Sequence, residues 1–229
     1  MAADGKFGFL KIRAVPHLFW SSPRPLTFRP PLISVVMLII GLVLFGLGEA
    51  LLIASGVGVS PWTVLAQGMT NVTGWSVGLA TFVISVFVLA LWVPLRQTPG
   101  LGTILNIIVI SVVLDVALPY LPRFDAPGLR ILEAAAGVVV TGIGGGIYLI
   151  ANLGPGPRDG LMTGLQRLTG LPIAWVRSFI ELTAVALGWS CGGVVGIGTL
   201  LFAFGIGPCV AATMFWLQSC AGRGGRRHG

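Results

Sequence analysis

Hydrophobic residues run in six nearly unbroken blocks along the chain, at positions 32–55, 76–93, 102–118, 129–151, 173–189 and 198–217. A spanning helix needs roughly 17–25 mostly apolar residues, and each block qualifies. A transmembrane barrel would instead alternate apolar and polar positions over about ten residues per strand. The blocks predict helices. Two shorter and more polar segments, 61–71 and 157–168, each open on a proline behind a Gly/Pro break. Proline suits the first position of a helix, and Ser60 stands where an N-cap would. Neither segment can cross a hydrocarbon layer of ~30 Å, so each is expected to be a half helix, re-entrant or interfacial.

The pattern repeats. Shifted by 96 positions, Gly41, Gly46, Gly48, Gly58, Pro61, Leu65 and Gly68 fall on Gly137, Gly142, Gly144, Gly154, Pro157, Leu161 and Gly164. In the same ungapped register Thr73-Gly74 meets Thr169-Gly170, Ile84 meets Ile180, and Gly100 to Thr103 meets Gly196 to Thr199. With 34 glycines in 229 residues some glycine matches arise by chance, but the Pro, Thr-Gly and Gly-x-Gly-Thr landmarks do not. Three spans per copy is an odd number, so the copies are expected to insert with opposite orientation. The expected fold is an all-α membrane protein of six transmembrane helices in two inverted three-helix repeats, each with a short re-entrant or interfacial helix. A single membrane domain would cover 31–219, with repeats at about 32–118 and 128–217, between a basic segment 1–30 and a basic tail 220–229.

Composition agrees. The chain is 55% hydrophobic and 9% charged, with a mean hydropathy of +0.95, whereas about a quarter of a soluble domain is charged. The net charge of +7 does not point to nucleic acid, because the basic residues lie at the two ends and in short loops. With the N-terminus inside, Lys6, Lys11, Arg13, Arg24, Arg29, Arg96, Arg158, Arg167, Arg223, Arg226 and Arg227 fall on the inner side and only Arg123 and Arg130 outside. That bias places both termini in the cytoplasm. No cleaved signal peptide is expected, since the first long apolar block follows Pro30-Pro31. The basic residues of 1–30, mixed with Phe7, Phe9, Leu10, Phe19 and Trp20, either rest on an anionic leaflet, at about 1 kcal/mol per cation, or form a tail that only sets topology. Cys191, Cys209 and Cys220 have neither disulfide nor zinc spacing, and His17 and His228 lie in polar tails. Neither metal nor cofactor is expected.

A polar or ionisable group within a span costs about 2.5–3.5 kcal/mol on insertion scales, so each one calls for a reason. Glu49 falls in the outer third of the first span. Asn106 and Asp115, nine apart, lie on nearly opposite faces of the third span, and Asp115 is close enough to Pro119 to snorkel to the interface. Glu133 is expected to pair with Arg130 at a helix end, and Arg177 with Glu181, four residues on, as a structural ion pair. Arg158 and Asp159 begin a half helix, where free amides and the helix dipole favour an anion. There Asp159 would cap the helix, and Arg158 would pair with it or face a ligand. Their repeat equivalents are Trp62 and Thr63, so a site on the repeat axis would be chemically lopsided. Gly142 to Gly146 lies inside a span and follows no strand, and so fails the context of a nucleotide loop.

The blocks Gly58-Val59-Ser60-Pro61-Trp62-Thr63, Gly102 to Asn106 with Asp115, Leu153 to Met162, Val176-Arg177 with Ile180-Glu181, Gly188-Trp189, and Gly192-Gly193 with Gly196 to Thr199 together resemble the YczE/YitT-like family of bacterial integral membrane proteins. The resemblance covers about 33–217, leaves both basic ends outside, and is most specific at Gly-Pro-Arg-Asp-Gly. It implies a multi-pass protein of the bacterial cytoplasmic membrane with no agreed substrate. The function expected first is a small-solute or anion permease, with Arg158, Asp159, Ser60, Thr63, Glu49, Asn106 and Asp115 along its path. The alternative is a membrane protein that assists or regulates another membrane or biosynthetic complex. No nucleophile and base are grouped, so an enzyme is not expected. The expected partners are the bilayer, anionic lipids at the N-terminus and a small polar or anionic solute, without nucleic acid; a homo-oligomer stays open.

Overall fold

The computed structural model describes residues 15–27 and 29–224, and every regular element among them is helical. The order is α1 (Leu32–Ser55), α2 (Pro61–Thr73), α3 (Val77–Ala90), α4 (Leu101–Ala117) with a 3-10 turn at Leu118–Tyr120, α5 (Pro127–Ala151), α6 (Pro157–Thr169), α7 (Ile173–Ser190) and α8 (Ile197–Gly224). Four helices are long and apolar enough to cross a membrane: α1, α4 with its terminal turn, α5 and α8. A fifth crossing results if α2 and α3, bent by 113° at their junction, count as one. The block at 76–93 thus gives a helix of only 14 residues, about 21 Å long. It stops because the chain turns at 91–96 and Trp92 swings inward, 2% exposed, to donate its indole N–H to Pro157 O at 2.9 Å.

Shifted by 96, Pro61–Thr73 becomes Pro157–Thr169 residue for residue, and α1, α3 and α4 land on α5, α7 and the start of α8. The packing repeats as well. At the centre α1 and α5 run antiparallel, with Gly41 against Gly144 and Tyr148, and Gly48 against Gly137 and Thr141. A Cβ at these glycines would meet the facing backbone, so close approach of the two helices requires them. Around this pair α1 packs on α4 as α5 packs on α8, and α2 packs on α7 as α3 packs on α6. The Gly-x-Gly-Thr landmarks hold the two breaks. Gly102 N donates to Leu153 O at 2.7 Å and Gly198 N to Val57 O at 2.9 Å, so each break is fastened to the last long helix of the other repeat. Gly58 and Gly154 sit at φ 117° and 112°, where an L side chain is strained and where the facing glycines leave no room for one.

The most extensive contact without a counterpart is that of α3 along α4, because among the described residues α7 has no comparable contact with α8. At the α3–α4 contact Asp115 accepts from Ser76 Oγ at 2.6 Å and from Gly78 N at 2.7 Å, so its carboxylate caps the positive end of α3. The equivalents of Ser76, Gly78 and Asp115 are Pro172, Ala174 and Ala211, which have neither hydroxyl nor carboxylate. Asp115, itself exposed, therefore staples α3 to α4.

The ends of α1 and α5 are closed differently. Arg130 donates through Nε to Ser55 O and through its terminal nitrogen to Gly56 O, both at 2.7 Å, satisfying carbonyls at the end of α1. It does not pair with Glu133, which is buried with both oxygens unpartnered among the described residues. At the end of α5 the N-terminal segment performs this role: Ser22 N donates to Ala151 O, Asn152 Nδ2 donates to Ser22 O, and Ser34 Oγ donates to Trp20 O. Trp20 is 5% exposed and packs in the core with Leu38 and Ala151. This part of the basic segment is thus folded onto the bundle through Trp20 and Ser22 and is not a free tail, while Phe19, Arg24 and Arg29 stay exposed. The lipid-facing reading of Lys6, Phe7, Phe9, Leu10, Lys11 and Arg13, and the tail residues Arg226, Arg227 and His228, lie outside the described residues.

Candidate functional site

Both short helices, α2 and α6, begin inside the bundle. Glu49 lies six residues before the end of α1, about 9 Å along its axis, and one of its oxygens accepts from Ser60 Oγ at 2.8 Å and from Thr63 Oγ1 at 2.6 Å. Glu49, Ser60 and Thr63 are all almost fully buried, and Glu49 Oε1 has no partner among the described residues. Ser60 therefore occupies the N-cap position of α2 without capping it, because its hydroxyl is committed to Glu49. The start of α6 is held by other means. Tyr148 donates its hydroxyl to Asp159 Oδ2 at 2.7 Å, and its ring meets Phe45 edge-on at 6.2 Å. Asp159 consequently does not cap α6 with its side chain. Trp92 closes the far side, lying so tightly over Gly160 that any Cβ there would fall inside the indole.

Between the two helix starts is a cavity of about 270 Å³. It straddles the repeat relation, since its lining includes the equivalent pairs Pro61 and Pro157, Trp62 and Arg158, Asn106 and Phe202, and Ile110 and Ile206. In two of these pairs one member is polar and the other aromatic, so the walls differ chemically. Arg158 stacks its guanidinium over Trp62, 5.4 Å from the ring centroid. Among the described residues it forms neither a salt bridge nor a hydrogen bond, and Asp159, next to it in sequence, points to Tyr148 instead. Asn106 also lines the cavity with no hydrogen bond among the described residues. On the α7 side stand Arg177 and Glu181, joined at 2.8 Å, with the arginine side chain 47% exposed. The opposite wall, from α8, is apolar: Phe202, Ile206, Val210 and Met214.

The structure thus brings Arg158, Asp159 and Asn106 to one cavity, places Glu49, Ser60 and Thr63 in a buried cluster behind the start of α2, and puts Asp115 elsewhere, at α3. The sequence reading missed Trp62 as the platform for Arg158, Tyr148 as the partner of Asp159, and Trp92. For Trp62 a signal existed, because it is the repeat equivalent of Arg158. Tyr148 and Trp92 are reached across 11 and 65 residues with no shared local pattern. Among the described residues no group of three His, Cys, Asp or Glu side chains could hold a metal ion.

The profile of the Family of unknown function (DUF6198) matches residues 32–214. An uncharacterized protein of Haemophilus influenzae is 40% identical over 200 residues, 87% of this chain and 91% of its own length. The uncharacterized membrane protein YczE of Bacillus subtilis is 34% identical over 165 residues, 71% of this chain and 77% of its own, and YyaS of the same organism is 28% identical over 166 residues. No solved structure matches. With its long apolar helices and this kinship, the chain is a membrane protein and belongs to the DUF6198 family, in the company of YczE.

Proposed function

We propose that the chain is a small permease for anionic solutes, with its binding site in the cavity between the starts of α2 and α6. One observation carries this reading: Arg158, a permanent cation within the bundle, stacks on the face of Trp62 and makes no salt bridge or hydrogen bond among the described residues, with Glu49, Asp159 and Glu181 acting on it only through space. A cation in a membrane bundle is expected to pair, and here the free space beside it is a cavity bordered by two helix N-termini, whose dipoles favour negative charge. Broken helices that present their starts near the midplane are also how several transporter folds bind substrate, an architectural analogy.

In this reading the two halves are inverted repeats, α2 and α6 are re-entrant, and α3 and α7 complete six crossings, with both termini on the cytoplasmic side of the bacterial cell membrane. Support comes from the antiparallel α1 and α5, the coincidence of helix bounds at a shift of 96, and the charge bias of the loops. The test is flux. Purified protein in liposomes, screened with chloride, nitrate, acetate and other small organic acids, should carry at least one anion. Arg158→Gln should abolish that flux with the protein still monodisperse, while Arg167→Gln, at an exposed position of α6, should leave it intact. No flux across the panel, or flux indifferent to Arg158→Gln, would sink the proposal.

A further inference from the structure

The cavity has two unlike walls and an unsealed side. Arg158 and Asn106 offer a cation and an amide without partners among the described residues, whereas Phe202, Ile206 and Val210 of α8 offer only hydrocarbon. Those two walls suit a molecule with an anionic head and an apolar tail. The unsealed side follows from the most extensive contact that the repeats do not share. Asp115 staples α3 onto α4, but Pro172, Ala174 and Ala211 cannot make that bond, and α7 and α8 have no comparable packing among the described residues. The cavity is lined from both of these helices, so it borders the gap in their packing. An opening there would serve a solute that travels in the bilayer rather than in water.

We infer that the ligand is a single-chain anionic amphiphile, which enters from the bilayer between α7 and α8, sets its head group against Arg158 and Asn106, and lays its tail along α8. This rests on the anion-binding reading of Arg158 and deepens it. A volume of about 270 Å³ falls just below the usual range for small-molecule sites and suits one chain, not a two-chain lipid. The Arg177–Glu181 pair at the α7 edge stays outside the head-group site, since it is already neutralised.

Binding to the full chain in nanodiscs of zwitterionic lipid provides the test, with radiolabelled acetate, hexanoate and decanoate as anions and decanol as the uncharged tail. Referred to the free aqueous concentration and measured as binding above that of protein-free nanodiscs, affinity should rise with chain length by roughly a factor of ten for every two methylenes withdrawn from water. Arg158→Gln should cancel the advantage of decanoate over decanol. If acetate and decanoate bind alike and both need Arg158, the amphiphile is refuted and the anion site stands. If no anion depends on Arg158, both fall together. Decanol binding as tightly as decanoate would leave a plain apolar cavity and also overturn the inference.

Discussion

Arg158 and Asp159 are adjacent in the sequence but do not pair, because consecutive residues on a helix point about 100° apart. That divergence sends Asp159 to Tyr148 and Arg158 to Trp62, and it separates two charges that would otherwise cancel. Their placement depends on Gly160. A Cβ at this position would fall inside the Trp92 indole, whose N–H holds Pro157 O at the first residue of α6. Gly160→Ala should therefore overpack the helix start and cost about 1–3 kcal/mol, read as a lower unfolding midpoint in detergent. Trp92→Leu removes the bulk along with the hydrogen bond, so the double variant should lose clearly less than the sum of the two single losses. Strict additivity would mean that the two residues do not share this contact. The repeat exchanges the sizes: the equivalents of Trp92 and Gly160 are Gly188 and Val64, and there Gly188 presses on the backbone of Val64.

At the scale of elements, the short helices were the most legible part of the fold. Pro61 and Pro157 after Gly-rich breaks set their starts, Thr-Gly pairs set their ends, and the observed bounds differ from the expected ones only at the C-terminus, by one or two residues. Hydropathy could not say that α3 would stop at Ala90, because the turn that ends it is fixed by Trp92 reaching residue 157. It was equally silent on the docking of Trp20 to Ser22 at the end of α5, a role played at α1 by Arg130; long-range caps leave no local pattern. Asp115 was visible as a costly polar residue, but its role as the cap of another helix needed three dimensions. Asp115→Asn keeps the shape and removes the charge at the start of α3, a change worth about 1 kcal/mol at a helix N-terminus. Amide hydrogen exchange in residues 77–80 should accelerate several-fold while α6 stays protected. Unchanged exchange there would remove Asp115 from the staple.

At the scale of the molecule, the question is whether the two halves face opposite sides of the membrane. Antiparallel packing of α1 on α5 through Gly41, Gly48, Gly137 and Gly144, and the crossed fastening of each break to the other repeat, are what an inverted pair would produce. A parallel pair would carry its equivalent helices in the same direction. Ser60 is fully buried and cannot report sidedness, so the probes belong at equivalent exposed positions near the ends of α2 and α6. Val72 and Leu168, 96 residues apart, are 70% and 73% exposed. With Cys191, Cys209 and Cys220 replaced by serine, Val72→Cys and Leu168→Cys should react with a membrane-impermeant maleimide from opposite faces. Given the basic bias toward the inner loops, Leu168→Cys should label only after the cytoplasmic face is opened and Val72→Cys in intact spheroplasts. Labelling of both from one face would dismantle the inverted arrangement, and with it the argument that the two helix starts approach one site from opposite sides. Labelling from opposite faces in the reverse sense would keep the repeat and overturn only the charge-based orientation.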